Sequence, residues 1–312
     1  MNYIIGHHKP DLDSVVSALA LEYLFLKAPC FKQTKAKAVL ASKANLETQT
    51  IFKKFKTSLP RVLKSQDIKT TDNFVLVDHN EISQRLKGIK DEMITNIFDH
   101  HKVSLNLGSP IFITTKPWGS SSTLVYWLME ITQVKPDKDL SSLMISAILS
   151  DTVGLKSPTT TKKDKLVISQ LNKVAQLKNL DDLTLEIFKA KSSLKNLTKK
   201  EILTKDYKIN DFKGKKVFIN QIETAEIEAL VKDTSSFLNE LKTLKKEMKL
   251  NYAFCLLTNV LKVNSHVFCL KEDETLLKKA FPLAREVENG VFDLGPIMSR
   301  KKEVVPLIER AI

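Results

Sequence analysis

Residues 74–80 read Phe-Val-Leu-Val-Asp-His-Asn, an apolar run of strand length that ends directly in a polar cluster. Residues 94–101 repeat the arrangement, because Ile94–Phe98, a strand-length segment that is apolar except for Thr95 and Asn96, leads straight into Asp99-His100-His101. Continuous apolar runs are typical of parallel strands that are buried on both faces. Open α/β sheets place their ligands at the carboxyl ends of such strands. The two stretches therefore predict a mostly parallel sheet with helices on both faces and a functional site at one edge.

Two further polar clusters fit the same sheet. Gly6-His7-His8-Lys9-Pro10-Asp11-Leu12-Asp13-Ser14 follows Met1–Ile5, which predicts a short buried strand, and Ser150-Asp151 ends a helix predicted over Asp139–Ser150. Five of the six histidines of the chain lie in these four clusters. A structural role would scatter them, so their concentration predicts a metal site.

The remaining pattern predicts a chain of two domains. In the first half it favours a strand over Lys37–Leu40 and helices over Ser14–Lys27, Leu46–Phe55, Gly119–Thr132, Thr159–Leu177 and Asp181–Lys191. Later, strands over Lys216–Gln221, Asn251–Thr258 and Ser265–Leu270 surround a helix near Glu226–Lys249. We predict an α/β protein with a metal-binding catalytic domain at 1–188, a hinge or linker at 189–196, and a smaller mixed-sheet α/β domain at 197–312.

Composition narrows the function classes. The net charge of +13 arises from 49 basic residues, but only five of them are arginines and the lysines are spread along the chain. Nucleic-acid readers usually interleave arginine and aromatic residues on one face, so we expect a solvated lysine-rich surface that attracts a small anion. No apolar stretch approaches the roughly 20 residues of a membrane span, and no signal-peptide pattern precedes the first motif. The three cysteines lack metal-ligand spacing, which favours reduced thiols and a cytoplasmic location.

The clusters together supply a mixed set of imidazole and carboxylate ligands. The candidates are His7, Asp11 and Asp13 on one loop, with Asp78, Asp99, His100, His101 and Asp151 from other element ends. Such a set matches two divalent ions bridged by carboxylate and by a water that becomes a nucleophile near neutral pH. It suits Mn²⁺ or Co²⁺ better than Mg²⁺. Taken alone, the loop before Ser14 also fits a turn in which Asp13 caps the next helix.

These motifs resemble those of a known superfamily. Gly6–Ser14, Asp78-His79-Asn80, Asp99-His100-His101 and Ser146–Thr152 are similar to the four signature motifs of the DHH phosphoesterases. Lys156-Ser157-Pro158-Thr159 and Ser299-Arg300-Lys301-Lys302 resemble the family II, manganese-dependent inorganic pyrophosphatases in particular. The resemblance runs from Ile4 to Pro306. It implies hydrolysis of pyrophosphate to two phosphates by a metal-bridged hydroxide, with two Mn²⁺ ions, Mg²⁺ carried by the substrate, and a homodimer joined at an edge of the first sheet.

The resemblance also implies roles for individual residues. One ion would be held by His7, Asp11, Asp78 and Asp151, and the second by Asp13, His100, Asp78 and Asp151. His101 would be the general acid. Asp99 would orient a histidine from an outer layer rather than bind metal, His79 would lie in that outer layer too, and His8 would be a bystander. Arg300, Lys301 and Lys208 would bind substrate. The family's lysine precedes the first strand of the second domain, and Asp206-Tyr207-Lys208 matches it, with Lys205 as the runner-up.

Two segments depart from the family pattern. Glu303 replaces a glutamine, and we expect it either to weaken phosphate binding near Lys301 or to pair with Lys302. Trp118–Thr123 is richer in serine than usual. The alternative functions are an exopolyphosphatase, another DHH-type nuclease or phosphodiesterase, and a metal-dependent regulatory protein. Relatives of the exopolyphosphatase kind tend to have asparagine in place of His7 and lack the Ser-Arg-Lys-Lys ending, and a regulatory protein would have lost a catalytic ligand.

Overall fold

The computed structural model describes residues 1–28, 30, 36–194, 197–225 and 227–312. They form two compact units, Met1–Lys191 and Ser192–Ile312, each with its own sheet. The boundary between the units falls inside the predicted linker 189–196. Lys195 and Asn196 of that linker lie outside the described residues.

The first unit is built on five parallel strands in the order β2-β1-β3-β4-β5. They are β1 (Asn2–Ile5), β2 (Ala36–Val39), β3 (Asn73–Val77), β4 (Ile94–Asp99) and β5 (Phe112–Thr115). The two apolar runs that opened the analysis are β3 and β4, and they are direct neighbours. Since β1 pairs with the other side of β3, the carboxyl ends of these three strands meet at one edge.

The helices described in this unit are α1 (Leu12–Lys27), α2 (Leu46–Lys54), α3 (Ser121–Ile131), α4 (Lys138–Asp151), α5 (Lys162–Ala175) and α6 (Leu180–Lys191). Side-chain caps decide where they begin. The N-cap of α1 is Asp11, which accepts a hydrogen bond from the Ser14 amide at 3.0 Å, so Asp13 is not the cap. Thr161 caps α5 in a reciprocal box with Asp164, which starts the helix three residues after Thr159.

The second unit contains a mixed sheet in the order β10-β11-β9-β8-β7-β6. Its strands are β6 (Tyr207–Phe212), β7 (Lys215–Thr224), β8 (Tyr252–Asn259), β9 (Asn264–Cys269), β10 (Arg285–Glu288) and β11 (Val291–Gly295), and its helices are α7 (Lys199–Thr204), α8 (Ile227–Val231), α9 (Thr234–Glu247), α10 (Glu274–Ala280) and α11 (Val305–Ala311). The β7–β8 pair is parallel, whereas the other described pairs are antiparallel. An apolar core covers each face, with Phe218 and Phe268 on one side and Phe254 and Phe292 on the other.

The predicted fold class is confirmed, a parallel sheet with helices followed by a smaller mixed sheet. The prediction missed β5, β6, β10 and β11. The first three expose most of their residues and so lack an apolar pattern, whereas β11 has only two fully buried residues, Val291 and Phe292. The helix expected near Glu226–Lys249 is two helices, α8 and α9, and Glu226 lies outside the described residues. Among the described helices, none combines the length and the apolar character that a bilayer crossing requires.

Candidate metal centre

The polar loops at the sheet edge bring candidate metal ligands together. Among the described residues, one group consists of His7, Asp11 and Asp78, a second of Asp13, Asp78, His100 and Asp151, and a third of Asp78, His100 and His101. Within each group the candidate ligand atoms lie within 4.8 Å of one another. All six residues predicted as ligands are therefore neighbours. They come from the loops after β1, β3 and β4, from the start of α1 and from the end of α4.

Asp78 joins the first two groups through its two carboxylate oxygens. Its Oδ2 lies 3.5 Å from Nε2 of His7, and its Oδ1 lies 3.4 Å from Nε2 of His100. The residue follows directly on β3 with φ of 62°, a left-handed conformation that aspartate tolerates better than most residues. This turn places a buried carboxylate between two sets of ligands. The arrangement is the one that a carboxylate bridging two ions requires.

The histidines present Nε2 to the carboxylates because backbone carbonyls occupy the other ring nitrogen. Nδ1 of His100 lies 2.9 Å from the Trp118 carbonyl oxygen, and Nδ1 of His7 lies 3.1 Å from that of His8. A carbonyl only accepts, so Nδ1 carries the proton and Nε2 is the atom available to a metal ion. Nε2 of His100 is buried and has no hydrogen-bond partner among the described residues. A buried orphan nitrogen facing carboxylates fits a metal ligand.

The charges of the cluster are out of balance without a cation. Burial raises the pKa of Asp151 well above its ordinary value, and the charges of Asp13 and Asp78 add to the effect. Burial disfavours the charged form of His7, but Asp11 and Asp78 outweigh it and raise its pKa to about 11. Protons thus compensate the carboxylates here, and divalent ions would replace them.

The pKa of His100 is raised for the same reason as that of His7. Burial works against its charged form, but the contact with Asp78 prevails and raises the pKa of His100 to about 10. Asp78 responds in the opposite direction. Burial opposes its ionisation, yet His100 and His7 lower its pKa below the usual range.

His101 is oriented by Asp99. Its Nδ1 lies 2.9 Å from Asp99 Oδ1, which also accepts hydrogen bonds from the backbone amides of His100 and His101. The Asn80 amide donates to Asp99 Oδ2 at 2.6 Å. Asp99 is buried, whereas the side chain of His101 is 54% exposed. The imidazole is therefore held in one orientation at an accessible position.

The other two clustered histidines lie outside the ligand groups. Nδ1 of His79 lies 2.9 Å from the Val77 carbonyl oxygen, and its ring packs edge-on against that of His7. Burial lowers the pKa of His79 to about 4, so its ring is neutral and supports His7 by packing. His8 is exposed on the loop and belongs to none of the ligand groups found.

In the second unit, Arg300 is held by Asp206. Its Nη1 donates to the Asp206 carbonyl oxygen at 2.7 Å and its Nη2 to Asp206 Oδ1 at 2.9 Å. Its backbone amide donates to Oε1 of Gln221 on β7. Arg300 begins a π-helical turn that ends at Val304 and includes the exposed Lys301. The guanidinium is thus fixed by two bonds to one residue, which leaves further N–H groups for an anion.

The expected position of Lys208 was wrong in one respect. Lys208 lies within the first strand of the second unit, β6, where it pairs with Ile219, rather than before that strand. Lys205, the runner-up, is the C-cap of α7 and precedes β6 by two residues. Lys208 is exposed, and it lies two residues along the chain from the Asp206 that binds Arg300.

Glu303 stabilises a backbone turn, a role that the sequence did not indicate. Its Oε2 accepts hydrogen bonds from the backbone amides of Met298 and Ser299, at 3.0 and 2.7 Å. The carboxylate therefore closes the turn that carries Arg300 and Lys301. A glutamine Oε1 could accept the same two bonds, so the departure from the family pattern keeps the acceptor. The side-chain hydrogen bonds found for Glu303 in the described chain thus go to the backbone, and not to Lys302, which was one of the two expectations.

Sequence reasoning missed two sets of residues around the ligands. Ser120, Ser121 and Ser122 contact the carboxylates of Asp13 and Asp78 from the start of α3. Glu47 on α2 is buried, and it accepts a hydrogen bond from Ser150, the neighbour of Asp151. Lys191, the last residue of the first unit, donates to the same Ser150 hydroxyl at 3.2 Å. The unusual serine content was visible in the sequence, but Glu47 lies in an ordinary amphipathic helix.

Comparison with known proteins agrees with the geometry. The DHH family N-terminal domain matches residues 2–148, and the DHHA2 domain matches residues 185–311. A manganese-dependent inorganic pyrophosphatase of Methanocaldococcus jannaschii is 37% identical, over 100% of this chain and 99% of its own length. A manganese-dependent inorganic pyrophosphatase of Methanothrix thermoacetophila is 35% identical, over 99% and 97%.

Solved structures show the same relationship. The crystal structure of a Methanococcus jannaschii protein assigned to the family II inorganic pyrophosphatases is 33% identical, covers 100% of this chain and 99% of its own, and superposes with a TM-score of 0.63. An exopolyphosphatase-related protein of Bacteroides fragilis, 16% identical over 99% of this chain and 91% of its own, has a TM-score of 0.51 and shares the fold. With relatives above 30% identity that match it from end to end, this chain belongs to the manganese-dependent inorganic pyrophosphatase family, with a DHH N-terminal domain followed by a DHHA2 domain.

Proposed function

We propose that this protein hydrolyses inorganic pyrophosphate to two phosphates and uses manganese to do so. The observation that carries the proposal is Asp78, whose two oxygens face two separate groups of His and Asp ligands. The full-length relatives named as manganese-dependent inorganic pyrophosphatases support the same reaction. Mixed imidazole and carboxylate ligands suit Mn²⁺ or Co²⁺.

The ligand groups suggest how two ions would be held. His7, Asp11 and Asp78 would bind one, and Asp13, Asp78 and His100 the other, with Asp151 completing both sets. Asp151 Oδ2 lies 3.5 Å from His100 Nε2, which supports its place in the second set. When bound, the ions supply Lewis acidity at the phosphate oxygens and lower the pKa of water for nucleophilic attack. Mg²⁺ would arrive with the substrate.

His101 is the residue we propose as proton donor to the leaving phosphate. The hydrogen bond with Asp99 raises the pKa of His101, although burial partly opposes it. Asp99 occupies Nδ1, so the proton that His101 gives up is the one on Nε2. A histidine positioned in this way has the properties of a general acid near neutral pH.

Arg300, Lys301 and Lys208 are the proposed substrate-binding cations. Arginine grips phosphate oxygens with a fixed fork of N–H donors, while lysine acts as a compact charge. Asp206 fixes the Arg300 fork, and Glu303 fixes the backbone turn from which Arg300 and Lys301 project. Positive charge held in place before the substrate arrives stabilises the charge that develops on phosphate during hydrolysis.

We also propose a homodimer in the cytoplasm. β5 ends the order of the first sheet, and its Phe112 and Ile113 are 49% and 43% exposed. An exposed apolar edge strand has unpaired backbone N–H and C=O groups that can pair with another strand. Pairing with the same strand of a second copy would satisfy these groups in a symmetric dimer. Reduced cysteines suit a cytoplasmic location, and Cys30, Cys255 and Cys269 are free thiols in this structure.

The deciding experiment is phosphate release by Mn²⁺-loaded protein in Mg²⁺ buffer. Pyrophosphate, tripolyphosphate, long-chain polyphosphate and a short oligonucleotide are compared side by side. We expect fast, selective hydrolysis of pyrophosphate, which Asp78→Asn abolishes and Arg300→Ala slows. Arg310→Ala, in the last turn of α11, is the matched control and should retain full activity. A preference for polyphosphate would instead support an exopolyphosphatase.

A further inference from the structure

Asp13 is held in an unusual way for a metal ligand. It lies in the first turn of α1 with 0% of its surface exposed. The hydrogen bonds that reach its carboxylate in the described chain come from serines, namely Ser17, Ser120, Ser121 and Ser122. Three of these belong to the segment Trp118–Thr123, whose serine content sets the sequence apart. The carboxylate is thus stabilised by neutral donors at the N-terminus of α3.

The donors are divided unequally between the two oxygens of Asp13. Oδ1 accepts from the hydroxyls of Ser120 and Ser122, at 2.7 and 2.6 Å, and from the Ser122 amide at 3.0 Å. The Ser17 hydroxyl lies 3.2 Å from the same oxygen and 2.9 Å from the Ser122 hydroxyl, which extends the network into α1. An oxygen with this many donors has no lone pair left for a cation.

Oδ2 of Asp13 accepts fewer hydrogen bonds than Oδ1. Its one recorded donor is the Ser121 amide, at 2.7 Å. The hydroxyl of the same Ser121 donates to Oδ1 of Asp78 at 2.8 Å. A single serine therefore links the Asp13 carboxylate to the Asp78 carboxylate that lies between the two ligand groups.

We propose that Ser120 and Ser122 are positioning residues that saturate Oδ1 of Asp13 and leave Oδ2, which the Ser121 amide orients, as its single metal-binding oxygen. This inference rests on the proposed metal ligands. Without the serines the carboxylate would be free to rotate about its terminal bond and would need to be ordered each time an ion binds. Since Asp13 belongs to the group with His100, Ser120 and Ser122 act on that ion and not on the ion beside His7.

Metal titration of three variants tests the proposal without any substrate. Ser122→Ala removes a hydroxyl that contacts Asp13, and Ser17→Ala removes the more distant one. Ser146→Ala is the matched control, because its buried hydroxyl donates within α4, to the Ser142 carbonyl. Mn²⁺ binding is followed by electron paramagnetic resonance and equilibrium dialysis, and urea unfolding of the metal-free proteins measures folding.

We expect Ser122→Ala to weaken one of two binding steps by about 10- to 100-fold, as outer-layer substitutions at metal sites do. The affected step should be the one that His100→Gln also weakens, and His7→Gln should weaken the other. Ser17→Ala should have a smaller effect on the same step, and Ser146→Ala none on either.

Two outcomes would overturn the proposal: unchanged affinities in Ser122→Ala, or equal weakening of both steps together with lost stability. A wild-type chain that binds two ions but leaves pyrophosphate intact would refute the proposed function instead.

Discussion

Protons on His7 and His100 lead to a quantitative prediction for metal binding. With pKa values of about 11 and about 10, both rings are charged near neutral pH in the metal-free protein. A metal ion binds only the neutral ring, so each histidine must release one proton. Loading both sites should therefore release about two protons per chain from these two histidines. Each proton contributes a factor of about ten per pH unit, so the product of the two binding constants should rise about 100-fold per pH unit above about pH 7.

Calorimetric titration of the metal-free protein with MnCl₂ measures these protons directly. Buffers of different ionisation enthalpy are compared, and the slope of the observed heat gives the number released. His100→Gln has no imidazole to deprotonate, so the number should fall by about one. His266→Gln, on β9 in the second unit, is the matched control and should release as many protons as the wild type. Metal binding without proton release in the wild type would refute the reasoning.

The same two histidines give the metal-free and metal-loaded forms different pH dependences of stability. Their raised pKa values stabilise the metal-free fold fully below the unfolded value of about 6.5, and this stabilisation is lost as the pH rises through about 10 to 11. The loss amounts to at most about 1.4 kcal/mol per pH unit for each histidine. The melting temperature of the metal-free protein should fall from about pH 7 to about pH 9, whereas that of the Mn²⁺-saturated protein should stay nearly constant, because tighter metal binding offsets the loss. Parallel trends in thermal unfolding would contradict this.

Three further predictions concern other parts of the molecule. Glu303→Ala should raise the KM for pyrophosphate by about tenfold, because it removes two charge-assisted hydrogen bonds to the turn of Arg300. Steady-state kinetics should show that Glu303→Gln retains the wild-type KM, and an equal KM in both variants would exclude this role. His101→Gln should lower kcat by about 10²- to 10⁴-fold while two Mn²⁺ ions still bind by dialysis, and an unchanged kcat would remove His101 as the acid. Phe112→Asp should convert the dimer to a monomer in sedimentation velocity, whereas Leu283→Asp, at an exposed site in the second unit, should not; a persistent dimer would place the interface elsewhere.

The metal-binding residues were predictable because each motif is short and follows an element with a clear apolar pattern. β3 and β4 are buried strands that are followed directly by polar residues. Sheet geometry alone therefore predicts that these polar residues lie at one edge of the sheet. The resemblance to a known family then supplied the division into two ions. That expectation had Asp78 and Asp151 as the shared residues, and the fold brings the six expected ligands into neighbouring groups.

Edge strands and their partners were not predictable in the same way. β5, β6 and β10 expose most of their residues, so no alternation of apolar and polar side chains distinguishes them from loops. These segments are strands because their backbones form hydrogen bonds with a neighbouring strand of the sheet. For the same reason Lys208 was expected before a strand and lies within one.

By itself, the sequence determined the fold class, the four ligand motifs and the family, because these depend on local patterns of a few residues. Only the tertiary structure decided which groups orient the ligands. Ser122 reaches Asp13 across 109 positions of the chain, and Arg300 reaches Asp206 across 94. Such bonds arise where helices and strands pack together, and their geometry depends on angles and distances that no local pattern encodes. The ligands were therefore visible in the sequence, whereas the contacts that hold them in place required the folded chain.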